Sequence, residues 1–239
     1  MTLNKKNFVI VSQRIFPAQS PRSFRATELA KELARQGHRV TLYAVLGKYD
    51  YKTFESVNNI KVKNIGRLLF AKANSDVDIR FTLLDKILYK ILNKILEFPD
   101  IELMFKIPGI LKREKNVDCL ITVAIPFPLH WGAALAKTIY PKRFPKKWIA
   151  DCGDPYMGNK FSKPYFYFGY LEKWFCRKVD YISVPVEEAR TAYYEEFHEK
   201  IKIIPQGFNL DEIPKVDGVE NNDVPTFAYA GTFYKGVRD

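Results

Sequence analysis

Cysteine and histidine are scarce, glycine is missing from the opening loop, and no apolar run approaches membrane length. The three cysteines, Cys119, Cys152 and Cys176, are an odd number, scattered and without a C-x-x-C pair. That usage reads as reduced thiols rather than a disulfide framework. His38, His130 and His198 show no ligand spacing with one another or with cysteine, so no protein-bound metal is expected. The stretch SQRIFPAQSP holds no glycine. A G-x-G-x-x-G fingerprint after the first strand is therefore excluded, and with it an epimerase or dehydrogenase acting on nucleotide sugars. No G-x-S-x-G nucleophile elbow occurs either, which removes that class of hydrolase. The apolar run at 8–11 stops at Ser12, too short for a signal-peptide core or a membrane span. A cytoplasmic protein is the expectation.

Acidic residues are outnumbered. Thirty-eight Lys and Arg against 27 Asp and Glu leave a net charge of +11, which calls for an anionic partner: nucleic acid, a phospholipid surface or a phosphate-bearing substrate. No zinc-finger spacing, RNA-binding aromatic signature or basic zipper region accompanies that charge, so nucleic acid is not expected. With 47% apolar residues in 239, the chain can bury a core of its own.

Short β-rich runs alternate with helical patterns along the whole chain. Strands are expected at 8–12, 39–45, 60–65, 118–124, 147–151, 181–184 and 201–204. Helices are expected at 23–36, 81–98, 101–115, 129–140, 165–178 and 187–197, with Pro108-Gly109 kinking or splitting the third. Such alternation implies an α/β fold, a mostly parallel, doubly wound, Rossmann-like sheet with helices on both faces. Ligands of such sheets sit at the carboxyl ends of the strands, which draws attention to the loops beginning at Gln13, Ala124, Asp151, Pro185 and Pro205. A polar stretch at 214–224 reads as a linker. It divides a first domain, 1–213, from the start of a second, 225–239.

Several residues stand out on position alone. Ser20 and Ser23 open the first helix with Arg22 and Arg25 beside them, either an ordinary capped helix or an anion-binding terminus. Gly37 suits a left-handed helix end, and His38 then enters its strand at the wrong edge of the sheet for ligands. Asp151 ends a strand, and Asp154 follows between Gly153 and Pro155. Asp154 either caps a turn or orients or deprotonates a hydroxyl. Lys86, Lys90 and Lys94 fall four apart on the helix FTLLDKILYKILNKILEF, whose remaining surface is largely Leu and Ile. That helix is either core-facing with a solvated lysine stripe or lies on anionic lipid. The basic turn at 141–147 and the aromatic run at 165–170 fit the second reading.

The segment FVIVSQRIFPAQSPRSFRATELAKELARQGHRVTLYAV resembles the opening of GT-B glycosyltransferases, particularly the retaining family 4. KIKIIPQGFNLDEI is similar to the "V-I-P-N-G-V-D" stretch at that family's domain hinge, and YAGTFYKGVRD to the "V-G-R-…-K-G" that opens its donor-binding domain. WIADCGDPY resembles a "D-x-R-D-P-W" stretch found in some members, with Gly153 in place of the Arg. The first loop departs from the family in lacking its Gly-Gly pair, and Thr232 stands where Arg is usual.

The resemblance implies the acceptor-side domain of an enzyme that moves a sugar from a nucleotide-diphosphate sugar to a glycan or polyprenyl-linked acceptor in polysaccharide biosynthesis. It needs no further cofactor. Its setting would be cytoplasmic and, on the lipid reading, peripheral at the inner face of the membrane. The resemblance assigns Asp154 a catalytic place by the reacting hydroxyl. Phe16, Pro17, Arg22, Asp151 and Tyr156 fall to the acceptor, and Ser20, Gly207, Gly231, Thr232 and Lys235 to the donor phosphates. Gln206, Gly207 and Asn209 form the hinge; on the lipid reading of their helix, Lys86, Lys90 and Lys94 face the membrane. The 239 residues alone are expected to be inactive. The other reading is a half-enzyme that binds a glycan or partner and catalyses nothing.

Overall fold

The chain divides into two compact units, Met1–Phe208 and Asn209–Asp239. The computed structural model describes residues 4–69, 83–159, 164–207 and 224–225. The expected linker apart from Val224, the expected second-domain start apart from Pro225, and with it Gly231, Thr232 and Lys235, lie outside the described residues, as does Asn209. So does the side chain of Lys86.

Seven parallel strands make one sheet in the order β3-β2-β1-β4-β5-β6-β7. They are β1 (Asn7–Ser12), β2 (Arg39–Ala44), β3 (Ile60–Asn64), β4 (Cys119–Ala124), β5 (Lys147–Cys152), β6 (Tyr181–Val184) and β7 (Ile201–Ile203). The order reverses between β1 and β4, so the loops after these two strands diverge and open a crevice. Both faces of the central strands are buried. Val9 and Val11 point into one apolar cluster and Ile10 into the other, as a period of two requires.

Helix α1 (Pro21–Arg35) covers one face. Its N-cap Ser20 accepts a hydrogen bond from the backbone N–H of Ser23, and Pro21 fits the first helical position. Ala26, Ala30 and Ala34, one turn apart and buried, bring the helix close to the sheet. Gly37, at φ 86°, closes it in the left-handed region. His38 follows at the amino end of β2, nearly buried beside Phe8, a structural position as its sequence context indicates. A short helix that the sequence pattern did not signal, α2 (Lys52–Asn58), lies beside β3, with Phe54 buried beneath it.

On the other face lie α4 (Ile101–Arg113), α5 (Pro128–Ile139) and α6 (Phe168–Lys178), preceded in the chain by α3 (Leu83–Leu96). Of the kink or split expected at Pro108, the split does not occur: α4 runs through it. Pro108 removes one backbone bond, but Leu103, Ile107 and Leu111 are buried along the same side. The close approach to Gly132 of α5 holds the helix in one piece: a Cβ there would lie 2.8 Å from Ile107 Cβ. The helix expected at 187–197 is instead two 3₁₀ segments, Glu187–Ala192 and Glu195–Lys200. The interruption sends Tyr193 into the core, where only 5% of it is exposed.

Candidate functional site

The loop after β1 and the loop after β5 meet at the carboxyl edge of the sheet. The first is fixed from within: Ser12 Oγ donates to the Arg14 carbonyl (2.8 Å), and the Phe16 amide donates to Thr27 Oγ1 of α1 (3.0 Å). Tyr51 donates its hydroxyl proton to the Phe16 carbonyl at 2.7 Å. Phe16 stacks on Phe54 and meets Tyr49 edge-on, both at 5.5 Å between ring centres. Phe16 and Tyr49 keep about two fifths of their surface in solvent (42% and 41%), so the loop presents an aromatic shelf beside the crevice.

Two arginines one helical turn apart on α1 reach across to the β5 loop. Arg22 pairs with Asp154, and Arg25 forks onto Asp151, its Nη2 lying 2.6 Å from Oδ1. The two pairs are in different environments. Asp151 is buried, also accepts the Ser183 hydroxyl at 2.5 Å, and shares Arg25 with the Ile204 carbonyl at 2.9 Å. It therefore clamps β5, β6 and the end of β7 to α1, and both of its oxygens are taken. Asp154 has half its side chain in solvent (50%). It is the carboxylate left accessible.

Other polar groups support the edge. Gln13 donates to Asp100 at 2.5 Å and Tyr156 to Glu97 at 2.9 Å. Burial pushes both of those acids above their usual range. The Tyr156 ring is enclosed by Phe127, Trp131 and Phe168. Its place is in the core beneath the edge, whereas the family resemblance had assigned it to the acceptor.

Under the β4 and β5 ends, Trp148 Nε1 donates to Thr122 Oγ1 (2.9 Å), which lies 2.7 Å from His130 Nδ1. His130 Nε2 lies 3.3 Å from Cys152 Sγ. Full burial lowers the His130 pKa to about 3, so the ring is neutral. A neutral ring has one donor and one acceptor nitrogen, which Thr122 and Cys152, each able to give or accept a hydrogen bond, can both match. Cys119, Cys152 and Cys176 are all free and buried, with thiols pushed up by burial.

The first turn of α1 carries two polar atoms with no hydrogen bond inside the protein, Arg22 Nε and Ser23 Oγ. Both atoms are buried, and the backbone donors of this turn are largely spent: Pro21 has no N–H, the Ser23 amide is capped by Ser20 Oγ, and the Phe24 amide bonds the Ser20 carbonyl. Gly207 lies in the exposed segment after β7, clear of neighbouring atoms. Sequence position thus located Gln13, Ser20, Arg22, Asp151 and Asp154 at one edge and missed Arg25's clamp, Ser183 and Asp100. The i, i+3 spacing of Arg22 and Arg25 was the available signal for Arg25; nothing local marked the other two. Among the described residues no three His, Cys, Asp or Glu side chains gather as a metal centre.

The profile of the family described as Glycosyltransferase Family 4 matches residues 24–212. Among solved structures, the chain is similar to a glycosyltransferase from Rickettsia africae ESF-5, with a TM-score of 0.53 and 18% identity over 87% of this chain and 45% of that one. It is more loosely similar to TcCGT1 in complex with UDP (TM-score 0.44, 12% identity, 92% of this chain and 54% of that one). The glycotransferase of kitacinnamycin is comparable (TM-score 0.46, 12% identity, 90% and 56%). The chain spans about half the length of these structures (45–56%). No curated protein matches it.

Proposed function

The chain belongs to glycosyltransferase family 4, and from that premise we propose that it forms the acceptor-side part of an enzyme transferring a sugar from a nucleotide-diphosphate sugar to a glycan or lipid-linked acceptor. The observation that carries the reading is the accessible Arg22–Asp154 pair at the start of α1. A departing diphosphate gathers negative charge, and preorganised donors at a helix start stabilise such charge without reorganising. Arg22 serves the phosphates. Asp154 serves the acceptor hydroxyl, accepting a hydrogen bond from it as it attacks. Arg25, Asp151 and Ser183 touch no substrate; they hold the two loops in register. The exposed Phe16 and Tyr49 rings support the acceptor.

The test is a panel of nucleotide sugars offered to the full-length protein with glycan and polyprenyl-diphosphate acceptors, reading sugar incorporation. Transfer from one donor, lost in Arg22→Ala, is the expected result. Donor binding without transfer to any acceptor would favour a non-catalytic binding protein.

A further inference from the structure

Among the described residues, α3 keeps an apolar side uncovered. Leu84, Leu88, Ile91 and Ile95 recur at i, i+4, i+7 and i+11, so they form one stripe. Their exposures are 76%, 55%, 48% and 38%. A stripe of this kind ordinarily faces a core, and contiguous exposed apolar surface marks an interaction site. Lys90 and Lys94, both exposed, lie on the polar side of the helix, Lys94 nearer the stripe and Lys90 further round. Residues 83–96 hold three lysines and a single acid, Asp85.

The segment before α6 is attached to this helix. The Tyr167 hydroxyl donates to the Ile95 carbonyl, and Lys94 Nζ lies 5.3 Å above the Tyr165 ring. Phe166, between these tyrosines, is 78% exposed. At the end of the helix Glu97 and Asp100 are occupied by Tyr156 and Gln13, so their charge is not presented beside the lysines. An apolar stripe, a cationic polar face and adjoining exposed aromatics thus occur together on α3 and its neighbouring turn, the distribution of an interfacial helix. The stripe has no polar group that would fix the register of a protein partner. No helix among the described residues is long and apolar enough to cross a membrane.

We propose that α3 and the turn at 165–166 are a docking surface for an anionic phospholipid bilayer. The helix lies in the headgroup plane, its leucines and isoleucines at the acyl boundary and Lys90 and Lys94 against lipid phosphates. This goes beyond the transferase reading and does not depend on it.

Sedimentation of the protein with vesicles tests it, without sugar donor or acceptor. The parent is expected to sediment with phosphatidylglycerol-containing vesicles at low salt, less at high salt, and not with pure phosphatidylcholine. Lys90→Gln with Lys94→Gln should weaken binding about 30-fold, each lysine at a charged surface contributing roughly fivefold. Leu88→Ser with Ile91→Ser should weaken it at least about tenfold even at low salt. Phe166→Ser, in a separate element, gives the same direction should the α3 variant lose its helix by circular dichroism. A parent that stays in the supernatant with anionic vesicles overturns the proposal, as do apolar variants that bind like the parent. Self-association abolished by Leu88→Ser, with no vesicle binding, overturns it in favour of a second copy of the chain. In each case the transfer assay is unaffected.

Discussion

Asp151 and Asp154 stand three residues apart, yet their surroundings give them different work. Asp154 has one partner and open solvent. Its exchange for Asn keeps the shape and most of the turn's hydrogen bonding. Transfer is expected to fall by about 10²–10⁴, the span of a general acid–base group, with a stability change under about 1 kcal/mol. Initial rates and thermal unfolding on the same variant check both; unchanged rates would remove Asp154 from the site. Asp151→Asn acts the other way. It leaves Arg25, whose side chain is only 12% exposed, facing a neutral partner. Breaking a largely buried pair is expected to cost about 3 kcal/mol or more, read as a lower urea midpoint. Sequence position placed both carboxylates at the ligand edge. It could not tell them apart, because Arg25, Ser183 and the Ile204 carbonyl arrive from distant parts of the chain.

Elements are fitted to one another by small residues at contact points. A Cβ on Gly132 would stand 2.8 Å from Ile107 Cβ and 3.0 Å from the Leu103 carbonyl. Gly132→Ala is therefore expected to push α5 from α4 and cost about 1–3 kcal/mol, measured by denaturant unfolding. Gly158 is tighter still: its Cβ would fall 2.1 Å from the Ala192 carbonyl, and backbone cannot yield as a side-chain end can. Gly158→Ala must shift the loop that carries Asp154. It should lower transfer and stability together, which distinguishes it from Asp154→Asn; normal values of both would show that the contact gives way. The strand–helix alternation was legible along the chain because both faces of the sheet are covered. The continuity of α4 was not, since local propensity penalises Pro108 while the opposing weight comes from α5. The break at 193–194 hid for the same reason: Tyr193 is drawn into a core that no neighbouring residue announces.

Across the whole molecule two buried groups oppose each other in their response to pH. Glu172, fully enclosed in α6, has one oxygen without a hydrogen bond, and burial raises its pKa from 4.5 to about 7. The folded protein holds that proton where the unfolded chain has released it. Its contribution is full below pH 4.5 and is lost as pH rises to about 7, about 3 kcal/mol in all. His130, lowered from 6.5 to about 3 by burial, acts in the opposite sense: the unfolded chain takes up a proton that the fold refuses, so stability falls as pH drops from 6.5 toward 3. Glu172→Gln is expected to stabilise the protein relative to the parent at pH 8 and to matter little at pH 4, by urea unfolding at the two values. An equal effect at both would show that Glu172 does not titrate in this window. Measured on the parent alone, the two trends partly cancel between pH 4.5 and 6.5.

What the sequence determined by itself was the alternation, the parallel sheet and the edge where polar loops gather. These follow from periodicities of 2 and 3.6 and from end signals such as Ser20, Pro21 and Gly37, all written within a few residues of where they act. It also fixed the amphipathic character of 83–96, but not which way that helix faces. The tertiary structure decided that its apolar stripe is exposed, that Tyr156 is core, that Asp151 is a clamp and Asp154 accessible. Each of those outcomes depends on which side chains arrive from residues 20 to 180 positions away, and burial and pairing are properties of that arrangement, not of the residue that experiences them.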